Sequence, residues 1–237
     1  MQGSEMSTFD KFADNYREVL SKNLRLSGSN SEFFCEYKIR EVVADESGHP
    51  ASILDLGCGD GLSIYFFGRV FPKTELHGID VSEKSVRIAA GRGIANAAFR
   101  VYNGQTIPFN KERFDLVFVS QVFHHISHEL HAGLLEEIFR VLSPAGRLYL
   151  FEHNPLNPLT RYIVSTCVFD TDARLIRAGS LIAACRRTGF QTISRRYTLF
   201  FPRHRFFTPL LQIESRLGWL PLGFQYYIHA TKPDHEY

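Results

Sequence analysis

Two acidic residues and a run of glycines carry the strongest chemical signal in this 237-residue sequence. Asp55 lies in a short apolar run just ahead of a turn with glycine at every second position, from Gly57 to Gly61. Glycine accepts positive φ and has no Cβ, so such a turn can approach a ligand closely. A second apolar run ends at Asp80, whose carboxylate can accept both hydroxyls of an adenosine ribose. These residues predict a site for a nucleotide-like ligand.

The glycine spacing and the position of Asp55 favour a cationic ligand over a dinucleotide. The glycines form G-x-G-x-G rather than the G-x-G-x-x-G of dinucleotide sites. A carboxylate at Asp55 would repel a pyrophosphate and attract a cation. S-adenosylmethionine, which carries a sulfonium and an ammonium group, is such a ligand. An NAD(P)-dependent oxidoreductase is the alternative enzyme class that these two features disfavour.

Strands and helices that alternate from Ser52 onward would position these residues, a pattern typical of a parallel sheet. Ser143 to Gly146 ends the clearest helix, because proline and glycine cannot continue it. We predict strands at 52–56, 75–79, 97–102, 114–120, 146–152, 190–198 and 224–232, and helices at 62–71, 82–92, 129–142 and 178–188.

The segments before and after this core predict a lid and a cap. Apolar residues from Phe9 to Leu24 recur at helical spacing, and Ser29 to Glu32 fits a capping box that opens a second helix through about Ala44. Tyr16, on the first of these helices, either fills an apolar face or points its hydroxyl at the ligand. We therefore predict a single domain over 1–237. Its parts are N-terminal helices (1–48), a cofactor-binding core (50–152), a cap with the sixth strand (153–223) and the last strand (224–232).

The segment from Ile53 to Gly61 closely resembles motif I of the class I S-adenosylmethionine-dependent methyltransferases. Four later segments, 77–82, 102–109, 114–125 and 142–148, resemble further motifs of that family in the same order. The resemblance implies an α/β fold with a doubly wound, Rossmann-like sheet of seven strands in the order 3-2-1-4-5-7-6. The last strand would be antiparallel, with an N-terminal helical lid and C-terminal cap insertions. Two segments near Glu152 and Pro221 further resemble a type 11/12-like small-molecule subgroup.

The resemblance implies an enzyme that transfers the methyl group of S-adenosyl-L-methionine and releases S-adenosyl-L-homocysteine. Asn103 replaces the usual aspartate of the family, but its carbonyl oxygen can still accept from the adenine amino group. The implied cofactor-binding residues are Tyr16, Asp55, Gly57, Cys58, Gly59, Asp80, Val81, Asn103, Gly104, Gln121 and Val122.

Five histidines are candidates for the chemistry itself. His124 and His125 lie where the methyl group is expected, at the end of the fourth strand, and His153 follows the fifth, where Glu152 could orient it. Any of the three could act as a general base, since histidine titrates near neutral pH. Alternatively, His124 with His128 and His131 could bind a metal on one helical face, or the cluster could be structural. The lack of a supporting carboxylate or cysteine pattern predicts no metal.

Composition limits the other functional classes. A net charge of +2 does not suggest a nucleic-acid binder. The sequence has neither an apolar leader nor an 18-residue apolar run, so we expect no membrane span and a cytoplasmic location. Four widely spaced cysteines predict reduced thiols rather than disulfides or zinc.

The predicted partner is a small or medium-sized acceptor molecule, anionic or partly apolar. A basic and aromatic stretch, containing Arg195, Arg196, Arg203, His204 and Arg205, could bind an anionic acceptor or form a solvated rim. A third functional class stays open: a methyltransferase-like protein that binds cofactor without turnover.

Overall fold

Parallel strands and helices alternate along the chain, as the sequence pattern predicts. The computed structural model describes residues 30–167, 173–201 and 208–234. The strands are β1 (Ser52–Leu56), β2 (Glu75–Asp80), β3 (Ala97–Val101), β4 (Phe114–Ser120), β5 (Leu142–His153), β6 (Gln191–Thr198) and β7 (Gln225–Thr231). The α-helices are α1 (Ser31–Asp45), α2 (Leu62–Val70), α3 (Glu83–Ala90), α4 (His131–Val141), α5 (Pro158–Thr166), α6 (Ala178–Thr188) and α7 (Thr208–Leu211).

The sheet has the strand order β3-β2-β1-β4-β5-β7-β6. Strand β7 is antiparallel to both β5 and β6, and the other neighbouring strands pair in parallel. The predicted α/β class, strand order and antiparallel last strand are therefore confirmed. In a sheet of this kind, ligands bind beyond the carboxyl ends of the strands, near the point where the strand order reverses.

Alternating strand residues build two apolar layers, because successive side chains of a strand point to opposite faces. One layer contains Ile53 of β1 and Phe118 of β4 with the buried faces of α1 and α2. The other contains Leu54 and Val117 with the buried faces of α4 and α6. Each central strand is thus apolar on both sides, which fixes its register and the position of its carboxyl end.

Helix α1 belongs to the first of these layers. Its N-cap is Asn30, whose side chain accepts from the Phe33 N–H, and it buries Ile39 and Val42 against the sheet. The sequence placed this helix across the cofactor cleft, but it packs on the sheet beside α2 because its apolar stripe is buried there. Tyr16 and the predicted first helix, from Phe9 to Leu24, lie outside the described residues, so the lid formed by that segment stays a prediction.

Strand β5 is longer than predicted. It begins at Leu142, directly after α4, because Leu142 already pairs with Phe114 of β4. The register then shifts, and regular pairing resumes at Arg147 with Leu116. The Pro-Ala-Gly turn that ends the helix is thus an irregularity within β5 rather than a loop before it. No helix in the described ranges is long and apolar enough to cross a lipid bilayer.

Candidate active site

The glycine turn after β1 is attached to the end of β2. The N–H groups of Gly57 and Cys58 both donate to the Ile79 carbonyl, at 2.8 and 3.0 Å. Gly57, Gly59 and Gly61 all have positive φ. A Cβ at Gly57 would lie 2.4 Å from Val122, whereas a Cβ at Gly59 would meet nothing within 4 Å. Gly57 is therefore required for packing, and Gly59 faces open space at the carboxyl edge of the sheet.

Asp80 holds this turn from the neighbouring strand. Its carboxylate accepts from the Gly59 N–H at 2.9 Å and from the Ser82 N–H at 2.9 Å. Val81 lies beside the next predicted site residue, because a Cβ on Gly104 would be 3.4 Å from a Val81 methyl group. The structure therefore brings together the predicted ribose-binding acid, the glycine turn and the loop after β3.

Asp55 is a buried carboxyl group with a free oxygen. Its side chain is 1% exposed, and Oδ2 has no hydrogen-bond partner within the described residues. Burial raises the pKa of Asp55 to about 8. The negative charge of Asp80 adds to this rise, while a hydrogen bond from Ser63 and the charge of Lys38 oppose it. A cation near Oδ2 would stabilise the carboxylate form.

Asn103 is positioned at the site but uses its oxygen locally. Oδ1 accepts from the N–H groups of Gln105 and Thr106, at 2.9 and 2.8 Å. A carbonyl oxygen has two lone pairs, so both are engaged in this loop. An adenine contact from Asn103 would then come from its amide nitrogen or the loop backbone. That this loop contacts adenine stays a prediction. The predicted contact, in which Asn103 Oδ1 accepts from the adenine amino group, does not fit the loop geometry.

Strand β4 ends in a strained residue at the site. Gln121 has φ of +60°, and its N–H donates to the Phe151 carbonyl at 2.8 Å. Its side-chain Nε2 is buried and has no hydrogen-bond partner in the described part of the chain. Such strain is found where neighbouring structure fixes a residue for function. Val122 thus lies against the glycine turn, and Gln121 lies beside it just after β4; their role in cofactor binding stays a prediction.

One of the three candidate bases, His124, contacts a buried carboxylate, and the other two lie against the His124 ring. Glu152 is fully buried and accepts from His124 Nδ1 at 2.6 Å and from the Phe123 N–H at 2.8 Å. Burial alone would raise the pKa of Glu152, but the charge and hydrogen bond of His124, with the charge of His153, lower it overall. The rings of His125 and His153 lie 4.1 and 5.2 Å from that of His124. Sequence reasoning paired Glu152 with His153, whereas its hydrogen bond is to His124.

His131 has a structural role. Its Nε2 lies 2.9 and 3.0 Å from the carbonyls of Phe123 and Ile126, which fixes the 3-10 turn (Phe123–His125) carrying the candidate bases. His128 is exposed. Within the described residues, no group of three or more histidine, cysteine or acidic side chains could hold a metal ion.

Lys38 is a site residue that sequence reasoning missed. It is 7% exposed, and its Nζ donates to Ser120 Oγ, at the end of β4, at 2.7 Å. Burial lowers the pKa of Lys38 to about 8, while the charges of Cys35, Glu152 and Asp55 oppose that fall. The sequence did contain a signal for Lys38, because this lysine occupies the same helical stripe as the buried Val42. A lysine inside an apolar stripe is unusual enough to mark a candidate.

The predicted arginine cluster lies elsewhere. Arg195 and Arg196 are on β6, the outermost strand, where they line a cavity of about 420 Å³ together with Trp219. Arg196 donates to the Ser215 carbonyl at 2.9 Å. Four strand spacings separate β6 from β1, roughly 19 Å. The solvated-rim interpretation therefore fits these two arginines better, and Arg203, His204 and Arg205 lie outside the described residues.

Comparison with known proteins agrees with this geometry. Residues 53–146 match the family model described as a methyltransferase domain. A demethylmenaquinone methyltransferase of Symbiobacterium thermophilum is 30% identical over 162 residues, which are 65% of this chain and 60% of that protein. The chain thus matches about 60% of the length of such curated relatives.

Solved methyltransferases share the fold. The Haloferax volcanii putative methyltransferase, solved in complex with the Trm112 activator, has a TM-score of 0.71 at 17% identity, covering 95% of this chain and 97% of that one. Phosphoethanolamine N-methyltransferase 2 of Haemonchus contortus, solved with S-adenosyl-L-methionine, has a TM-score of 0.66 at 17% identity, covering 95% and 60%. The resemblance to the class I S-adenosylmethionine-dependent methyltransferases seen in the sequence is therefore confirmed, and residues 53–146 match a methyltransferase domain.

Proposed function

We propose that this protein binds S-adenosylmethionine at the carboxyl ends of β1, β2 and β4 and transfers its methyl group to a small or medium-sized acceptor. The observation that carries the proposal is the buried carboxyl of Asp55, one oxygen of which has no hydrogen-bond partner in the described residues. A cationic ligand would satisfy this group, and Asp80 supplies a second acid one strand away. A pyrophosphate would meet two acidic groups there, which disfavours an NAD(P)-dependent oxidoreductase.

The residues present fit the cofactor part by part. Asp55 would hold the ammonium end, Gly57, Cys58 and Gly59 would allow close approach of the backbone, and Asp80 would hold the ribose. Val81, Asn103 and Gly104 would border the adenine, while Gln121 and Val122 would line the middle of the cleft. The buried Nε2 of Gln121 is a second unsatisfied polar atom that a ligand could satisfy.

The cofactor supplies an already activated methyl group, so the chain has mainly to align the acceptor and exclude water. Alignment of this kind is worth on the order of 7–11 kcal/mol of barrier lowering. For a hydroxyl acceptor, a base would add roughly two to four decades in rate. His124 is the candidate with the best-defined orientation, because a Nδ1–H donated to Glu152 would make Nε2 the nitrogen that accepts a proton. His125 and His153 stay candidates on the same side of the cleft.

Titration calorimetry of the protein with S-adenosylmethionine tests the proposal. We expect saturable binding, and a loss of about 100-fold or more in affinity on Asp80→Ala, because the variant lacks the ribose acceptor and its charged hydrogen bonds with the N–H groups of Gly59 in the turn and of Ser82. Asp115→Ala is the matched control. Asp115 also accepts two backbone N–H groups, from Ala51 and Ser52, but at the amino edge of the sheet. Binding that is absent in the wild type, or equal in the Asp80 and Asp115 variants, would contradict the proposal.

Turnover is tested separately, because a silent binding protein would pass the calorimetric test. Methyl-labelled cofactor is incubated with candidate acceptors, and labelled product is measured. Demethylmenaquinone is a first acceptor to include, since it is named for a relative that this chain matches in part. Binding with no product across a broad acceptor set would favour the silent alternative.

A further inference from the structure

Exposed apolar side chains are concentrated in the segment between β5 and β7. Seven of the eleven large apolar side chains that are exposed in the described residues fall within 156–222. They are Leu156, Leu159, Tyr162, Leu210, Ile213, Trp219 and Leu222. Trp219 and Tyr162 are the most exposed, at 71% and 58%. Single exposed apolar residues are normal on a protein surface, but a concentration of them marks a surface that contacts something else.

Side-chain hydrogen bonds join helix α5 to the turn before β7, so their apolar residues belong to one surface. Asn157, the N-cap of α5, donates from Nδ2 to the Leu222 carbonyl at 2.6 Å. In the first turn of the helix, Thr160 donates from Oγ1 to the Phe224 carbonyl at 3.0 Å. The exposed side chain of Leu222 therefore lies beside the start of α5.

Helix α5 has apolar side chains on its outer side as well as its inner side. Thr160 and Val164, which are four residues apart, are buried. Leu159 and Tyr162, which are three residues apart and so share one side of the helix, are 41% and 58% exposed. A surface helix usually directs charged and polar side chains to water. The outer side of α5 is therefore suited to a medium less polar than water.

The same segment is strongly basic. Residues 156–222 contain ten arginines, no lysine and three acidic residues, a net charge of +7, whereas the rest of the chain carries −5. Arg195 and Arg216 are exposed, and both line the cavity beside Trp219. The cavity lining also contains Asp45, but its carboxylate already lies 3.9 Å from Arg196. Basic groups thus border the exposed tryptophan.

We propose that the outer side of α5 and the turn from Trp219 to Leu222 dock on a membrane surface that carries anionic phospholipids. The leucines would enter the boundary between headgroups and acyl chains, which tyrosine and tryptophan also favour. The arginines would bind lipid phosphates, since a guanidinium matches phosphate geometry. An isologous contact with a second copy of the chain would instead bring two surfaces of the same positive charge together.

Docking through this surface would hold the carboxyl edge of the sheet close to the bilayer. Helix α5 follows the carboxyl end of β5, and the turn precedes β7, whose first residue, Gln225, pairs with His153. The glycine turn after β1 lies at this same edge. The inference goes beyond the proposed function and does not depend on it.

Trp219 reports directly on docking, because it is the one tryptophan of the sequence. Its emission and the co-sedimentation of the protein are measured with vesicles of phosphatidylcholine and with vesicles of phosphatidylcholine mixed with phosphatidylglycerol. We expect emission to shift to shorter wavelength with the mixed vesicles, and co-sedimentation to be about 10- to 100-fold stronger than with phosphatidylcholine alone. Added salt should weaken the binding, because it screens the arginines.

A matched pair of tyrosine variants tests the apolar part of the surface. Tyr162→Gln removes an exposed ring from α5, and Tyr65→Gln removes one from α2, where Tyr65 is 40% exposed. We expect Tyr162→Gln to weaken co-sedimentation by about 3- to 10-fold, as for loss of a partly buried aromatic side chain. Tyr65→Gln should leave it unchanged. Thermal melts show whether both variants are folded.

A matched pair of double variants tests the basic part. One combines Arg195→Gln with Arg216→Gln, and the other combines Arg69→Gln with Arg87→Gln, on α2 and α3. All four arginines are exposed, so the two proteins lose the same charge from different parts of the surface. We expect the first to lose about 10- to 30-fold of the preference for anionic vesicles, and the second to keep that preference.

Each other outcome would overturn the proposal. These are no emission shift and no co-sedimentation with the mixed vesicles, equal binding to both kinds of vesicle, or equal losses within each matched pair. A dimer that Tyr162→Gln dissociates, in a protein that binds no vesicles, would assign the surface to contact between copies. Calorimetry with S-adenosylmethionine needs no vesicles, so a failure of docking would leave the proposed function intact.

Discussion

Asp55 and Glu152 are two buried carboxyl groups in matching positions, each the penultimate residue of a strand at the same edge of the sheet. Their pKa values shift in opposite directions, upward for Asp55 and downward for Glu152. Burial raises both, so the difference comes from their partners. Glu152 accepts from His124 and from a backbone N–H, whereas one oxygen of Asp55 has no partner in the described residues.

This contrast distinguishes a carboxylate that is fully hydrogen-bonded within the protein from one that, on the proposed function, would gain a ligand as its partner. A satisfied buried charge fixes its surroundings, here the turn that carries the candidate bases. An unsatisfied one costs stability in the free protein, and that cost is recovered when a cation binds. The comparison therefore predicts opposite stability effects when each acid is neutralised.

The largest expected effect is that of Glu152→Gln on stability. The variant leaves His124 without its charged partner, and breaking a buried pair costs about 3–5 kcal/mol. We expect this loss in the free energy of unfolding, measured in urea at pH 7. Because the pKa of Glu152 is lowered by folding, its contribution is present at neutral pH and is lost as pH falls through that pKa. Glu136→Gln, an exposed control, should change stability by less than about 0.5 kcal/mol. Equal losses of unfolding free energy in Glu152→Gln and Glu136→Gln would contradict the contrast drawn between Glu152 and Asp55.

Asp55→Asn should act in the opposite direction on stability. The folded protein keeps a proton on Asp55 up to a pKa of about 8, so the unfolded chain binds fewer protons and stability falls as pH rises from about 4 towards 8. Removal of this group should raise Tm at pH 7, by about 2–4 °C for each kcal/mol gained. The affinity for S-adenosylmethionine should fall by roughly 10- to 100-fold, since a neutral amide attracts a cation less.

Asp115→Asn provides the matched control for that variant. Asp115 accepts two backbone N–H groups, so its replacement should lower Tm and leave the cofactor affinity unchanged. A lower Tm for Asp55→Asn together with unchanged affinity would show that Asp55 resembles Glu152 after all.

A smaller effect is the release of protons on cofactor binding. With its pKa at about 8, raised by burial and by Asp80 against the influence of Lys38 and Ser63, Asp55 is about nine-tenths protonated at pH 7. A bound cation favours the carboxylate, so up to about one proton should leave. Calorimetry in phosphate and in Tris, which differ in ionisation enthalpy, measures this number. Asp55→Asn should release fewer protons, and identical release by both proteins would exclude Asp55 as the source.

The sequence by itself determined the sheet, the glycine turn and the two acids at the ends of β1 and β2. These features depend on local patterns: apolar strands, positive φ at glycine, and the carboxyl edge where parallel strands end together. The same local patterns carried the resemblance to the methyltransferases and the predicted cofactor.

Only the tertiary structure decided which charged groups face one another. Glu152 pairs with His124, which is 28 residues away, and Lys38 reaches Ser120 across 82 residues. Such pairings cannot be predicted from a single sequence, because they depend on how α1 packs against strands β4 and β5. The same holds for Asp55: its type and place were readable from the sequence, but its free oxygen and raised pKa follow from burial beside Asp80.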